Sequence, residues 1–247
     1  MITPARAAIP FPAGGGAMNI AENVARVRER MAAAARRAGR DPGGVKLVAV
    51  TKTVDAGRVR QALEAGADFL GENYIQEAQR KIEELGRPGG WHFIGHLQSN
   101  KAKAAARLFD WVHSVDSLRL AEELSRSARQ QGRVLPVLLQ VNLGGEATKF
   151  GAQEDEVARL LEQMAPLAGI AVKGLMTMPP YFEDPEESRP FFRALRGLQE
   201  RISNRGIPGI LMEELSMGMS NDFEAAVEEG ATLVRVGTAI FGPRPMK

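Results

Sequence analysis

The chain has 247 residues, 44% of them hydrophobic and 25% charged, a balance that suits a globular protein with enough apolar material for a sizeable core. A net charge of +2 with both signs interspersed argues against a nucleic-acid or membrane surface, and no apolar run is long enough to span a bilayer. The lack of cysteine excludes a disulfide framework, a thiol nucleophile and a cysteine-ligated metal, and no two of His92, His96 and His113 pair at metal-motif spacing on one helix, so no metal is expected.

Residues 1–17, rich in Pro and Gly and without the continuous apolar core of a signal peptide, read as a disordered leader before a single domain at 18–247. Met18 is an alternative start, and the cytoplasm is the default location. From Asn19 the pattern turns helical, with Ile20, Val24, Val27 and Met31 at helical spacing until Gly39. In "VKLVAVTKT" apolar residues then fill both parities, the mark of a strand buried on both faces, and Lys52 stands just past its end. Further strand-like runs follow at "ADFLGEN", "WHFIGH", "WVHSVD", "PVLLQVN", "VKGLMTM", "EELSMG" and "LVRVGTAIFG". Amphipathic stretches separate them, several ending at a glycine suited to a left-handed helix terminus: Gly66, Gly86, Gly132, Gly206 and Gly230.

That makes eight strands and eight helices, the first helix included, with no linker long enough for a domain boundary. Strict alternation implies a parallel α/β sheet covered by helices, and eight units in about 250 residues is the size of a closed (β/α)8 TIM barrel, here with an extra N-terminal helix. An open doubly wound sheet is the rival, disfavoured by the count and by the lack of a Gly-rich dinucleotide fingerprint after the first strand. Either fold gathers its chemistry at the carboxyl ends of the strands.

The polar residues just past those ends are Lys52; Glu72, Asn73 and Tyr74; His96, Gln98 and Asn100; Asp116; Asn142; Thr177; Ser216 and Ser220; Arg235 and Thr238. They include no evident acid–base carboxylate pair and no nucleophile elbow. "LSMGMSNDFEAAVEEG" gives a Gly-containing loop with Ser216 and Ser220 before a helix starting near Asn221, where Asn221 and Glu224 suit a capping box. Gly237 and Thr238 follow the last strand, and the loops after strands seven and eight are the usual phosphate site of such barrels. Lys52 would face that cradle, because strand eight of a closed barrel pairs with strand one. Lysine forms an imine only as the free amine, a state that apolar walls and the nearby charge of Arg235 favour. Pyridoxal 5′-phosphate needs these parts: a Schiff-base lysine, a phosphate cradle and a group at the ring nitrogen, for which Arg235, the lone charge in an apolar strand, is the candidate.

The stretches "AVTKT", "LGENYIQEA", "WHFIGHLQSNK", "VNLGGEATKFG", "GLMTMPP", "LSMGMSNDFEAA" and "VRVGTAIFG", running from about Val45 to Gly242, resemble those of the pyridoxal phosphate homeostasis proteins, single-domain relatives of the alanine racemase barrel. The resemblance implies a fold-type III cofactor barrel in which Lys52 carries the imine, Asn73 lies near the ring substituents, and Ser216, Gly237 and Thr238, with Ser220, hold the phosphate. It places Arg235 at the ring nitrogen and Lys149 near the site. It implies a monomeric, non-catalytic protein that buffers the cofactor, affects amino-acid and keto-acid metabolism, and delivers to apo-enzymes that use pyridoxal phosphate.

Arginine at the ring nitrogen makes the ring a weak electron sink, which transaminases cannot use. Racemization tolerates arginine but wants a base on each face of the substrate carbon. The related racemases take the second base, a tyrosine, from a further domain that is not expected here; Tyr74 and Tyr181 are the two tyrosines of the sequence. A cofactor-holding protein is therefore expected ahead of an amino-acid racemase of the alanine racemase type. A barrel binding another phosphorylated metabolite, with Lys52 unmodified, is the third reading.

Overall fold

The computed structural model describes residues 19–144 and 150–243. The expected leader at 1–17 lies outside them. The strands β1 (Lys46–Val50), β2 (Phe69–Glu72), β3 (Gly90–Phe93), β4 (Trp111–Val115), β5 (Leu135–Gln140), β6 (Ile170–Met176), β7 (Glu214–Ser216) and β8 (Leu233–Val236) close into a barrel in sequence order. Every pairing is parallel, including the closing pair of β8 with β1. The open-sheet alternative is thereby excluded.

Helices α1 (Ile20–Arg37), α2 (Ala56–Glu64), α3 (Ile75–Leu85), α4 (Ala102–Leu108), α5 (Leu118–Gln130), α6 (Val157–Met164), α7 (Arg189–Arg205) and α8 (Phe223–Glu228) cover the outside. A ninth, α9 (Thr238–Phe241), corrects the reading of "LVRVGTAIFG" as one strand run: the chain leaves the sheet at Val236 and coils at once. The apolar Ala239, Ile240 and Phe241 are buried as a helix, which a short apolar run cannot distinguish from a strand. All five glycines expected to end helices have positive φ.

The first helix starts as its sequence dictates. The Asn19 side chain accepts the Glu22 N–H and returns a hydrogen bond to the Glu22 carboxylate, while Ile20, Val24, Val27 and Met31 bury one face. That face packs against α2, α8 and α9, and Asn23 donates to the Ile240 carbonyl at 3.0 Å. The extra helix thus braces the seam where the last strand meets the first.

Strand parity divides the core. Registered partners in a parallel sheet share a face, and Val48 pairs with Phe69 and Arg235, His92 with Trp111, and Ser216 with Leu233. These side chains look into the barrel, where Val48, Leu138, Met176 and Leu233 form an apolar cluster with Phe69 and Trp111 against it. Their neighbours Leu47, Ala49, Leu70 and Val234 face outward into the larger core beneath the helices.

One irregularity shapes the wall between β5 and β6. The register passes from Val137 opposite Val172 to Leu138 opposite Gly174, so Lys173 is an extra residue on β6. Gly174 has φ +157°, and a Cβ there would lie 1.9 Å from the Glu214 carbonyl oxygen of β7. Only glycine lets the two backbones come so close. Gly174→Ala is therefore expected to destabilise the fold by about 3 kcal/mol or more, measured as a fall in the urea midpoint.

Candidate functional site

The carboxyl ends of the strands surround a cavity of about 420 Å³. Of the residues expected at a site, Lys52, Asn73, Ser220, Arg235, Gly237 and Thr238 all line it, joined by His96 from the wider set of strand-end residues. Asn142 lines a different, larger groove of about 650 Å³ outside the barrel, with Leu198 and Arg201 of α7. Lys149 lies outside the described residues.

Each lining residue is held by local chemistry. Lys52 sits in a tight turn in which the Thr51 carbonyl accepts the Val54 N–H at 3.0 Å. The third residue of that turn, Thr53, has φ +65°, the sole positive φ among the described non-glycine residues, at a cost of about 1–2 kcal/mol. Asn73 is met closely by Gly95, where a Cβ would lie 2.6 Å from the Asn73 carbonyl oxygen. His96 stacks on Phe150 with ring centroids 3.5 Å apart and has Asp116 3.8 Å away. The Ser220 hydroxyl accepts the Gly237 and Ala239 N–H groups at 3.1 and 3.2 Å, tying the loop after β7 to the turn after β8. Gly237 owes its lack of a side chain to the strand beside it, since a Cβ would press on Val50 at 3.3 Å.

The expected capping box at Asn221 does not form. Asn221 instead donates to the Phe182 carbonyl at 3.0 Å, and α8 starts only after Asp222, whose carboxylate accepts the Met219 N–H at 2.6 Å. Asp222 is buried, lines the cavity and was missed by sequence reasoning, which treated this stretch as a helix start. Burial raises its pKa, against the pull of hydrogen bonds from the Met219 backbone and Ser188 and of the charge on Arg235.

Arg235 is 4% exposed. Its NH1 donates to the Ser216 hydroxyl at 2.6 Å and its NH2 to the Thr177 carbonyl at 2.9 Å. Burial pushes its pKa down to about 10, partly offset by Asp222, so it stays charged at neutral pH. Ser216, expected at the phosphate, is fully buried and does not line the cavity, and inward parity turns its hydroxyl to the guanidinium.

Below Ser216 runs a polar thread that the sequence did not disclose. His113 Nδ1 lies 2.9 Å from the Ser216 hydroxyl, and His113 Nε2 lies 2.9 Å from His92 Nδ1. Arginine can only donate, so the Ser216 oxygen accepts from it, and the two rings continue the thread with one hydrogen bond between His113 and Ser216 and one between His113 and His92. His92 is stacked against Phe69 at 4.3 Å, and its Nε2 has no hydrogen-bond partner among the described residues. Burial, the largest influence on both rings, pushes the His92 pKa down to about 3 and that of His113 well below its ordinary value, where His92 and Arg235 add to the effect.

Outside the barrel, Glu72 points away from the cavity. Its carboxylate accepts the Thr51 hydroxyl and the ammonium of Lys81 on α3, both at 2.6 Å, while Glu77 takes a second ammonium proton at 2.8 Å. Burial raises the pKa of Glu72, and the hydrogen bond from Lys81 opposes that rise.

A family model described as "Alanine racemase, N-terminal domain" matches residues 19–245. The pyridoxal phosphate homeostasis protein of Aquifex aeolicus is 43% identical over 92% of this chain and 99% of its own length. That of Pseudomonas aeruginosa is 46% identical over 91% of this chain and 96% of its own. A solved structure of PipY from Synechococcus elongatus, with PLP bound, is 39% identical, covers 90% of this chain and 100% of its own, and superposes with a TM-score of 0.80.

The buried histidines make stability depend on pH in a defined direction. Each has a folded pKa below its ordinary 6.5, so below that pH the unfolded chain binds protons the folded chain refuses. Stability that is full above pH 6.5 is lost as the pH falls toward 3, with a limiting slope of about 1.4 kcal/mol per pH unit for each ring. Urea midpoints taken from about pH 7 to about pH 4 are expected to fall more steeply for the wild type than for His92→Gln. Glu72 and Asp222, whose raised values act in the opposite sense, cancel in that comparison. Equal slopes would show that His92 is not held neutral.

Proposed function

We propose that this chain, which belongs to the alanine racemase N-terminal domain family and within it to the pyridoxal phosphate homeostasis proteins, binds pyridoxal 5′-phosphate on Lys52 and holds it for transfer to other proteins. The observation that carries this reading is the convergence on one cavity of a lysine after β1, a buried arginine on β8 and the hydroxyls of Ser220 and Thr238. When bound, the cofactor supplies an aldehyde that condenses with a primary amine, and a ring that withdraws electrons.

The side chains fit that group. Lys52 offers the amine, and the Asn73 amide stands at the same cavity wall for the ring substituents. Arg235, anchored from below through Ser216 and Thr177, reaches the cavity as a fixed donor for the ring nitrogen. Ser220 and Thr238 are the proposed phosphate end, and Gly237, without a side chain, leaves room for the group to approach. Ser216 serves the site through Arg235, at the ring-nitrogen end.

Lack of turnover is part of the proposal. A donor-only arginine leaves no proton on the ring nitrogen and keeps the ring a weak electron sink. Among the described residues the mouth is lined by exposed side chains: Tyr181 is 76% exposed, and Phe150 and Met178 stand exposed beside it. Water and incoming amines reach such a mouth freely, which suits release more than controlled chemistry. One observation favours the racemase alternative, since Tyr181 lines the cavity and is a candidate opposite-face base.

Two measurements separate these readings. The purified holo-protein is expected to absorb in the visible, and borohydride is expected to fix the cofactor on the peptide carrying Lys52; labelling at Lys101 or Lys149 would refute the assignment. Chiral analysis of alanine and serine after long incubation with holo-protein is expected to show no more inversion than free cofactor produces. Saturable racemization lost in Lys52→Ala and in Tyr181→Phe would establish the alternative.

A further inference from the structure

The turn that carries Lys52 has a conformation its own residues do not favour. With the Thr51 carbonyl bonded to the Val54 N–H, the third position has a left-handed φ and normally takes glycine, yet it holds the β-branched Thr53. Such a residue persists only where its surroundings over-determine it.

The surroundings that do so are a buried charge cluster on the outer side of the sheet. Lys81 has three ammonium protons, and it directs them to the Thr51 carbonyl, the Glu72 carboxylate and the Glu77 carboxylate. The same Glu72 oxygen takes the Thr51 hydroxyl, and the same Glu77 oxygen takes the Thr53 N–H. The residues before and after Lys52 are thus gripped by one cluster, while Lys52 itself lies on the cavity side of the strand end. A buried ion pair is a poor source of net stability. Here its acceptors and donors are spent on one turn, and α3 already docks through Ile75 and Ala78.

We infer that Lys81, Glu72 and Glu77 are positioning residues for the Lys52 amine: they hold the strained turn and so present Nζ to an aldehyde in the cavity. This rests on the proposal that Lys52 forms the Schiff base. In that condensation the amine nitrogen attacks the aldehyde carbon, C=N replaces C=O, and the oxygen leaves as water with the two amine protons, so no oxidant or reductant enters. The cluster acts before that step, by limiting the directions the amine samples.

The test separates aiming from folding. Affinity is measured for pyridoxal 5′-phosphate and for its 4-deoxy analogue, which keeps ring and phosphate but has no aldehyde, and the rate at which the visible imine band appears is followed. Glu77→Ala is expected to slow imine formation at least tenfold and to weaken pyridoxal 5′-phosphate binding about tenfold, with affinity for the analogue unchanged. Adding Thr53→Gly, which takes the left-handed φ without help, is expected to restore the rate in the Glu77→Ala background. Thr53→Gly in the otherwise intact chain, a variant that does not endanger the fold, is expected to keep the imine and the melting temperature. Parallel loss of both ligands, no change for either, an unrescued double variant, or a lower melting temperature for Thr53→Gly alone would each overturn the inference. A wild-type protein that binds both ligands equally and forms no imine would instead refute the Schiff-base assignment on which it rests.

Discussion

A positive charge sealed inside a barrel of eight strands is the constraint from which most of this site follows. Arg235 keeps its proton at neutral pH and is almost wholly buried, so the strands around it must answer most of its donors. On β7 that requires a side chain small enough to fit under the guanidinium and able to accept, which Ser216 is. After β6 it requires a carbonyl turned inward, at Thr177. Beneath them the two histidines stay neutral, because burial disfavours the charged ring and at His113 the charge of Arg235 adds to that effect. The only open side of the arginine is the cavity.

The two faces of the sheet divide the labour. Inward parity stacks His92, His113, Ser216 and Arg235 into a column of hydrogen bonds that ends at the cavity floor. Outward parity at the end of β2 sends Glu72 under α3, where it meets Lys81 and the turn after β1. Gly71, one residue earlier and facing inward, has no side chain because a Cβ would meet Val48 and Ile94 at 2.9 Å. Adjacent residues of one short strand therefore serve the barrel interior and the lysine turn by opposite routes.

Much of this was legible in the sequence, for physical reasons. Strands buried on both faces leave continuous apolar runs, glycine marks the helix ends, and a closed barrel sends strand-end residues to one mouth, so Lys52, Ser220, Arg235, Gly237 and Thr238 could be placed together. Asn73 came from the family resemblance. Ser216 was read as standing just past strand seven, whereas β7 ends on it, so its hydroxyl takes the inward strand parity and meets the guanidinium. His92 and His113 were weighed by spacing along the chain, whereas their contact is made across the sheet between β3 and β4. Lys81 reads as the solvated face of an amphipathic helix, and nothing in its local pattern reveals that a carboxylate from the preceding strand meets it.

The closing seam between β8 and β1 has a consequence for synthesis. Lys52 follows the first strand and Arg235, Gly237 and Thr238 belong to the last, so the pocket has no complete form until the final strand has left the ribosome and zipped onto the first. A nascent chain with seven strands presents the amine but neither the arginine nor the last turn. Ligand can therefore reward only the finished barrel, and its binding stabilises that state without trapping any shorter intermediate.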